Sequence, residues 1–192
     1  SVLVVSCVQE GATEVDVRLP ATSRWCEWHS GAWFNGGAVV KLSAPLGRCL
    51  LFVRAGGDVV LCDDNDDARV RVVVAVPPDA RGAARSEWLD ELERPTSIIF
   101  DDGESIAYKS GVFAQVDIVA RREDNGAVAV RAVAGHDRFA RPTHIPVASL
   151  GVDDEVSMAA GGLQQLSEGD HDNSQHVPSH LVWFNVQVST AS

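Results

Sequence analysis

Short runs of alternating apolar and polar residues, each cut off by a turn residue, recur along this chain and leave little room for helices. EVDVRL (14–19) sets Val15, Val17 and Leu19 on one face, and Pro20 ends it. VLVVSCV (2–8) reads as a buried strand and GAT as the turn after it. Arg24 to His29 forms a Trp-rich strand, and SGAWFNGG (30–37) reads as turn. AVVKLSA (38–44), LLFVRAG (50–56) and DVVLC (58–62) follow, the last two split by Gly56-Gly57. Such a density of strands in roughly sixty residues is that of a small sandwich.

The second stretch repeats the pattern. RVRVVVAV (69–76) alternates and then runs fully apolar until Pro77-Pro78. Residues 79–96 favour a short helix, with Ser86 as a cap and Leu89 and Leu92 on one side. SIIF (97–100), SIAY (105–108), VFAQVDIVAR (112–121), AVAVRAV (127–133), THIPVASLGV (143–152) and HLVWFNVQV (180–188) read as strands. Asn125-Gly126 marks a hairpin, because that pair accepts the positive φ angles of a tight turn. Residues 153–178 hold six carboxylates and no Lys or Arg, and read as a loop with a weak helical patch. No internal repeat and no βα alternation is present. The expected fold is all-β: two antiparallel β-sandwich domains in tandem, over 1–62 and 69–192, joined by the acidic linker 63–68.

With 45% apolar residues the chain can bury a core, and Val and Ala supply most of it. The net charge of −11 disfavours nucleic acid, whose phosphates call for a basic face, and disfavours an anionic membrane. No stretch is long and apolar enough to span a bilayer. The opening SVLVVSCV lacks the basic flank of a signal peptide. Ser1 at the start and Met158 as the single methionine suggest a processed or excised piece of a longer protein. The compartment is left open. Cys7, Cys26, Cys49 and Cys62 are widely spaced, so buried free thiols are expected rather than a zinc site, with disulfides the alternative in a secreted protein.

Chemistry-bearing motifs are sparse. Asp63-x-Asn65-x-Asp67 imitates the start of a calcium loop, but Ala68 stands where glycine is needed and Val74 where glutamate is needed. Asp170-x-Asp172 fails in the same way, with Leu181 at the last position. His171, His176 and His180 lack metal-ligand spacing. No nucleophile elbow, phosphate loop or dinucleotide fingerprint occurs. No catalytic residue, metal or cofactor is therefore assigned. Trp28 and Trp33 are the candidates for a sugar-stacking surface. In SIIFDDGES, Asp101, Asp102, Gly103, Glu104 and Ser105 offer carboxylates for a site. They equally suit a turn, with Gly103 at positive φ and the aspartates bonding local amides.

Two segments together carry a likeness: VRLPATSRWCEWHSGAWFNGGAVVKLSAPLGRCLLFVRAG (17–56) and FDDGESIAYKSG (100–111). Leu19-Pro20, Trp25 to Gly31, Gly36-Gly37, Ala44-Pro45-Leu46, Leu51 to Gly56 and Asp101 to Gly111 fall in order. In that order the chain resembles the C-terminal region of glycoside hydrolase family 31, the α-glucosidase and α-xylosidase family. SVLVVSCVQEGA is similar to the family's strand just after its catalytic barrel. Ser6-Cys7, Glu27, His29, Cys49-Leu50 and Phe100 depart from the family pattern and leave the sugar open.

The resemblance implies a parent enzyme that hydrolyses α-glycosidic bonds with two aspartates of an upstream (β/α)8 barrel. This chain shows no barrel pattern. The resemblance thus makes it the proximal and distal C-terminal sandwiches without the active site. DDGES would be a structural turn of the distal one. The implied partner is the barrel of the parent chain. An α-linked carbohydrate and a second copy of the chain are further candidate partners. The other reading is a carbohydrate-binding module using Trp28 or Trp33.

Overall fold

The computed structural model describes residues 2–63, 66–77, 95–122, 128–150, 164–165, 181 and 183–190. The first half holds β1 (Val2–Val5), β2 (Glu14–Arg18), β3 (Arg24–Glu27), β4 (Trp33–Asn35), β5 (Val39–Ser43) and β6 (Leu50–Arg54). The second holds β7 (Asp58–Asp63), β8 (Asp66–Ala75), β9 (Thr96–Phe100), β10 (Ala114–Arg122), β11 (Val128–Asp137), β12 (His144–Leu150), β13 (Gln164–Gln165) and β14 (Trp183–Thr190). One 3-10 turn, Ala107–Ser110, is the helical element among the described residues. The all-β expectation holds. The helix expected near Ser86, the Asn125-Gly126 turn and most of 153–178 lie outside the described residues.

Register explains the layering. In β1–β6 the pairs Leu3↔Phe52 and Val5↔Leu50 share a face, and Val2↔Val53 and Val4↔Leu51 share the other. The first face packs on the two-stranded β2–β5 sheet through Val17, Leu19, Trp25, Leu50 and Phe52. The second face of the β1–β6–β3–β4 sheet packs on the next sheet through Cys26, Trp28 and Val53. That next sheet runs β7–β8–β12–β14 and is covered on both sides. Val73, Ala75, Ala148, Leu150 and Trp183 face the first half. Val72, Val74, Val76, Ile145, Val147 and Val186 face β9–β10–β11. A strand buried on both faces needs no polar alternation, which is why Val72 to Val76 run apolar. β14 turns the corner, pairing with β12 through Trp183 to Gln187 and with β11 from Val188 onward.

Four sequence expectations about the strands change. VLVVSCV holds the half-exposed edge strand β1, Val2–Val5, rather than a buried strand. SGAWFNGG contains β4, because Trp33 pairs with Cys26 and Phe34 with Trp25. SIAY is a 3-10 turn rather than a strand, ended by Gly111 at φ +81°. Two neighbours, β8 with β12 and β11 with β14, are parallel, reached by long connections instead of hairpins. The acidic segment 63–68 takes in the end of β7 and the start of β8, which pair from Asp58↔Val74 to Asp63↔Asp66. β6 passes into β7 through Gly56-Gly57, whose backbone bonds Ala75 at 2.9 Å in both directions.

Candidate functional site

The turn after β9 is built from its own side chains. Asp101 Oδ1 accepts the Gly103 amide at 2.9 Å. Asp102 Oδ1 accepts the Ser105 amide at 3.0 Å and the Glu104 amide at 3.3 Å. Ser105 Oγ accepts the Ala107 amide at 3.1 Å, leading into the 3-10 turn. Gly103 sits at φ +63° with open space where a Cβ would stand. Hydrogen bonds from the Ser105 hydroxyl, then its amide, hold the Asp102 carboxyl below the usual range. The motif caps backbone amides, as its sequence suggested for a turn, and Asp102, Gly103, Glu104 and Ser105 are exposed.

Behind this turn lies a cavity of about 490 Å³, lined by Ile99 to Gly103 and by Phe139, Ala140, Arg141 and Pro142. Arg141 donates from Nε and Nη2 to the two carboxylate oxygens of Asp137, each at 3.1 Å. Phe139 packs against the core between the second half's two layers. Residues 139–142 were not singled out in the sequence, since a Phe-Ala-Arg-Pro connection carries no motif. Arg141 before Pro142, in the connection from β11 to β12, is the local signal there was.

The tryptophans are placed elsewhere. Trp28 is 4% exposed, inside the cluster between the two halves. Trp33 packs against the same cluster, and the Arg24 guanidinium sits 5.5 Å from its ring centre. A stacking platform needs open ring faces, and Trp28 has none. Trp25 is also buried, its Nε1 donating to the Pro20 carbonyl at 3.1 Å.

Glu27 is the buried carboxylate of the first half. Its Oε2 accepts the Ser30 amide and hydroxyl, each at 2.7 Å, which closes the turn from β3 into β4. Its Oε1 is buried without a hydrogen bond. Gly36 answers a close approach: a Cβ there would strike the carbonyls of Pro20 and Ser23. Burial, and next the Glu27 charge, pushes the Cys26 thiol up to about 12, so it is no nucleophile at neutral pH. Cys49 and Cys62 are exposed, against the expectation of buried thiols, because both stand at strand ends. Among the described residues no three His, Cys, Asp or Glu side chains come together as a metal site.

Apolar side chains remain on the surface of the first half. Val2 and Val4 are exposed on the edge strand β1, and Val8 and Leu46 are almost wholly exposed in the loops after β1 and β5. The two loops meet where Ser6 Oγ lies 3.7 Å from Cys49 Sγ.

Residues 1–59 match the glycosyl hydrolase family 31 C-terminal domain. No curated protein matches the chain. Among solved structures, it is similar to a family 31 α-xylosidase from Xanthomonas citri, with 25% identity and TM-score 0.55, over 77% of this chain and 15% of that one. It shares its fold with the Flavobacterium johnsoniae family 31 dextranase complexed with glucose, at 16% identity and TM-score 0.62, over 97% of this chain and 24% of that one. The α subunit of glucosidase II aligns at 14% identity and TM-score 0.54, over 97% of this chain and 21% of that one. The chain thus spans about a fifth of the length of these enzymes. The matched segment and the shared fold are those of the C-terminal region of a family 31 protein.

Proposed function

Taking the chain as the C-terminal region of a family 31 protein, we infer that it is a non-catalytic module that braces a catalytic barrel. The parent hydrolyses α-glycosidic bonds with aspartates supplied by that barrel. We place the boundary between the proximal and distal sandwiches at Gly56-Gly57, since β7 shares its sheet with β8. The single observation that carries the reading is the apolar surface of the family-like half. Val2, Val4, Val8 and Leu46 present uncovered apolar surface beside a well-packed interior. Burying four such side chains against a barrel would contribute on the order of 5 kcal/mol.

The carboxylates support the same reading. Retaining glycosidases need two carboxyl groups about 5 Å apart across the bond to be cut. Asp101 and Asp102 are neighbours engaged in turn amides, and Glu27 is engaged by Ser30. The test is direct. The chain alone should release no nitrophenol from an α-glucoside, and it should bind the separately produced barrel. Val4→Glu with Leu46→Glu should weaken that binding at least tenfold. Hydrolysis by the chain, abolished by Asp101→Asn, would overturn the reading. In the absence of the barrel the same surface should drive self-association at high concentration, measured by sedimentation.

A further inference from the structure

We propose that the cavity behind the Asp101–Gly103 turn binds a neutral sugar unit, so that the distal sandwich holds an oligosaccharide as well as bracing the parent. The proposal rests on the family reading for the kind of sugar, and on this cavity for the site.

Its volume of about 490 Å³ falls in the range of small-molecule sites. Ile99, Phe139 and Pro142 supply apolar wall, which suits the C–H face of a pyranose ring. Two polar groups on the lining keep unused capacity. Asp101 spends Oδ1 on the Gly103 amide, and Oδ2 has no partner among the described residues. Arg141 spends Nε and Nη2 on Asp137, and Nη1 has none. A free acceptor and a free donor beside an apolar wall match a ring hydroxyl, which both donates and accepts.

The charges narrow the class further. Asp101 and Asp102 on the lining, with Asp137 already answering Arg141, repel a phosphate or a carboxylate. Arg141 on the lining repels a divalent cation. Gly103 keeps the mouth open, since nothing stands within 4 Å of its Cβ position. The carboxylates of DDGES thus have two uses. Asp101 Oδ1 and Asp102 Oδ1 hold the turn, and Asp101 Oδ2 is left for a ligand.

The experiment titrates the full chain with isomaltotriose, maltotriose and glucosamine, read by ligand-observed NMR and calorimetry. Saturable millimolar binding of at least one trisaccharide is expected. Ala140→Trp should fill the cavity and weaken binding at least tenfold. Asp101→Asn, which keeps an acceptor for Gly103, should weaken it severalfold. Melting curves of both variants should stay near that of the parent chain. Trp33→Ala should leave affinity unchanged. No saturable binding up to about 50 mM overturns the proposal, that being weaker than any useful site. So does unchanged affinity in both cavity variants, loss of binding in Trp33→Ala alone, or binding of glucosamine without either trisaccharide. Association with the barrel should be untouched by Ala140→Trp, so failure here and failure of the bracing role are separate results.

Discussion

The core between β2–β5 and its neighbouring sheet is built from a few large side chains, whereas the core between the two layers of the second half is built from many small ones. Trp25, Phe52, Leu19 and Leu50 fill the former, and the Phe34 ring meets Phe52 edge-on at 6.2 Å. Val and Ala dominate the latter, with Ile98, Phe100, Ile118 and Ile145 among them. Both bury apolar area. They differ in how that area is shared out. Large rings concentrate stability in single residues and fix one shape, while small side chains spread it thinly.

The largest expected effects separate the two designs. Phe52→Ala should cost about 4 kcal/mol, the range for a buried aromatic truncated to alanine, measured by urea unfolding. Trp28→Ala, in the seam between the halves, should cost a similar amount, about 4 kcal/mol, and should lower the stability of both halves together. Two well-separated unfolding transitions after that change would show that the halves do not share the seam. Gly36→Ala comes next, at about 3 kcal/mol, because the new Cβ meets backbone carbonyls that cannot step aside. Val147→Ala, in the small-residue core, should cost only about 2 kcal/mol. A loss as large as that of Phe52→Ala would break the comparison.

The exposed turn of the second half should respond least. Gly103→Val meets no steric obstacle, so its cost is the left-handed backbone alone, about 1–2 kcal/mol. Added calcium should leave the melting temperature unchanged. The pH dependence follows from Asp102. Its folded pKa lies below the ordinary aspartate value of 3.8, so its contribution is complete above that value and is lost as pH falls through the folded pKa. Asp102→Asn should therefore flatten the loss of stability below about pH 4. An unchanged acid limb would remove Asp102 from the account of the turn.

How much of this was legible in the sequence followed the same division. The aromatic half announces itself through motifs, because a Trp, a double glycine and a Leu-Pro strand end are each demanded by a specific contact. Trp25 reaches the Pro20 carbonyl, and Gly36 lies against Pro20 and Ser23. The Val and Ala half shows only its period, and period places strands without saying which pair. The parallel contacts of β12 with β8 and of β14 with β11 join distant segments, and no local pattern encodes them. The apolar run at Val72 to Val76 marked a strand, and its cover on both sides shows only in the fold. β4 was hidden because its three residues sit among glycines. The 3-10 turn at Ala107–Ser110 was hidden because SIAY has strand-like residues. The DDGES turn was readable, since its aspartates act on amides two or three residues away. The cavity behind it was not, because 99–103 and 139–142 meet only in the fold.

The proposed bracing role is tested most directly by the thermal inactivation of a family 31 catalytic barrel from the proposed parent, with and without this chain supplied as a separate polypeptide. The half-life of α-glycosidase activity at a temperature that inactivates the bare barrel should lengthen when the chain is added. The gain should be lost when Val4→Glu and Leu46→Glu are introduced together. An unchanged half-life with the folded, unsubstituted chain present in excess would contradict the account.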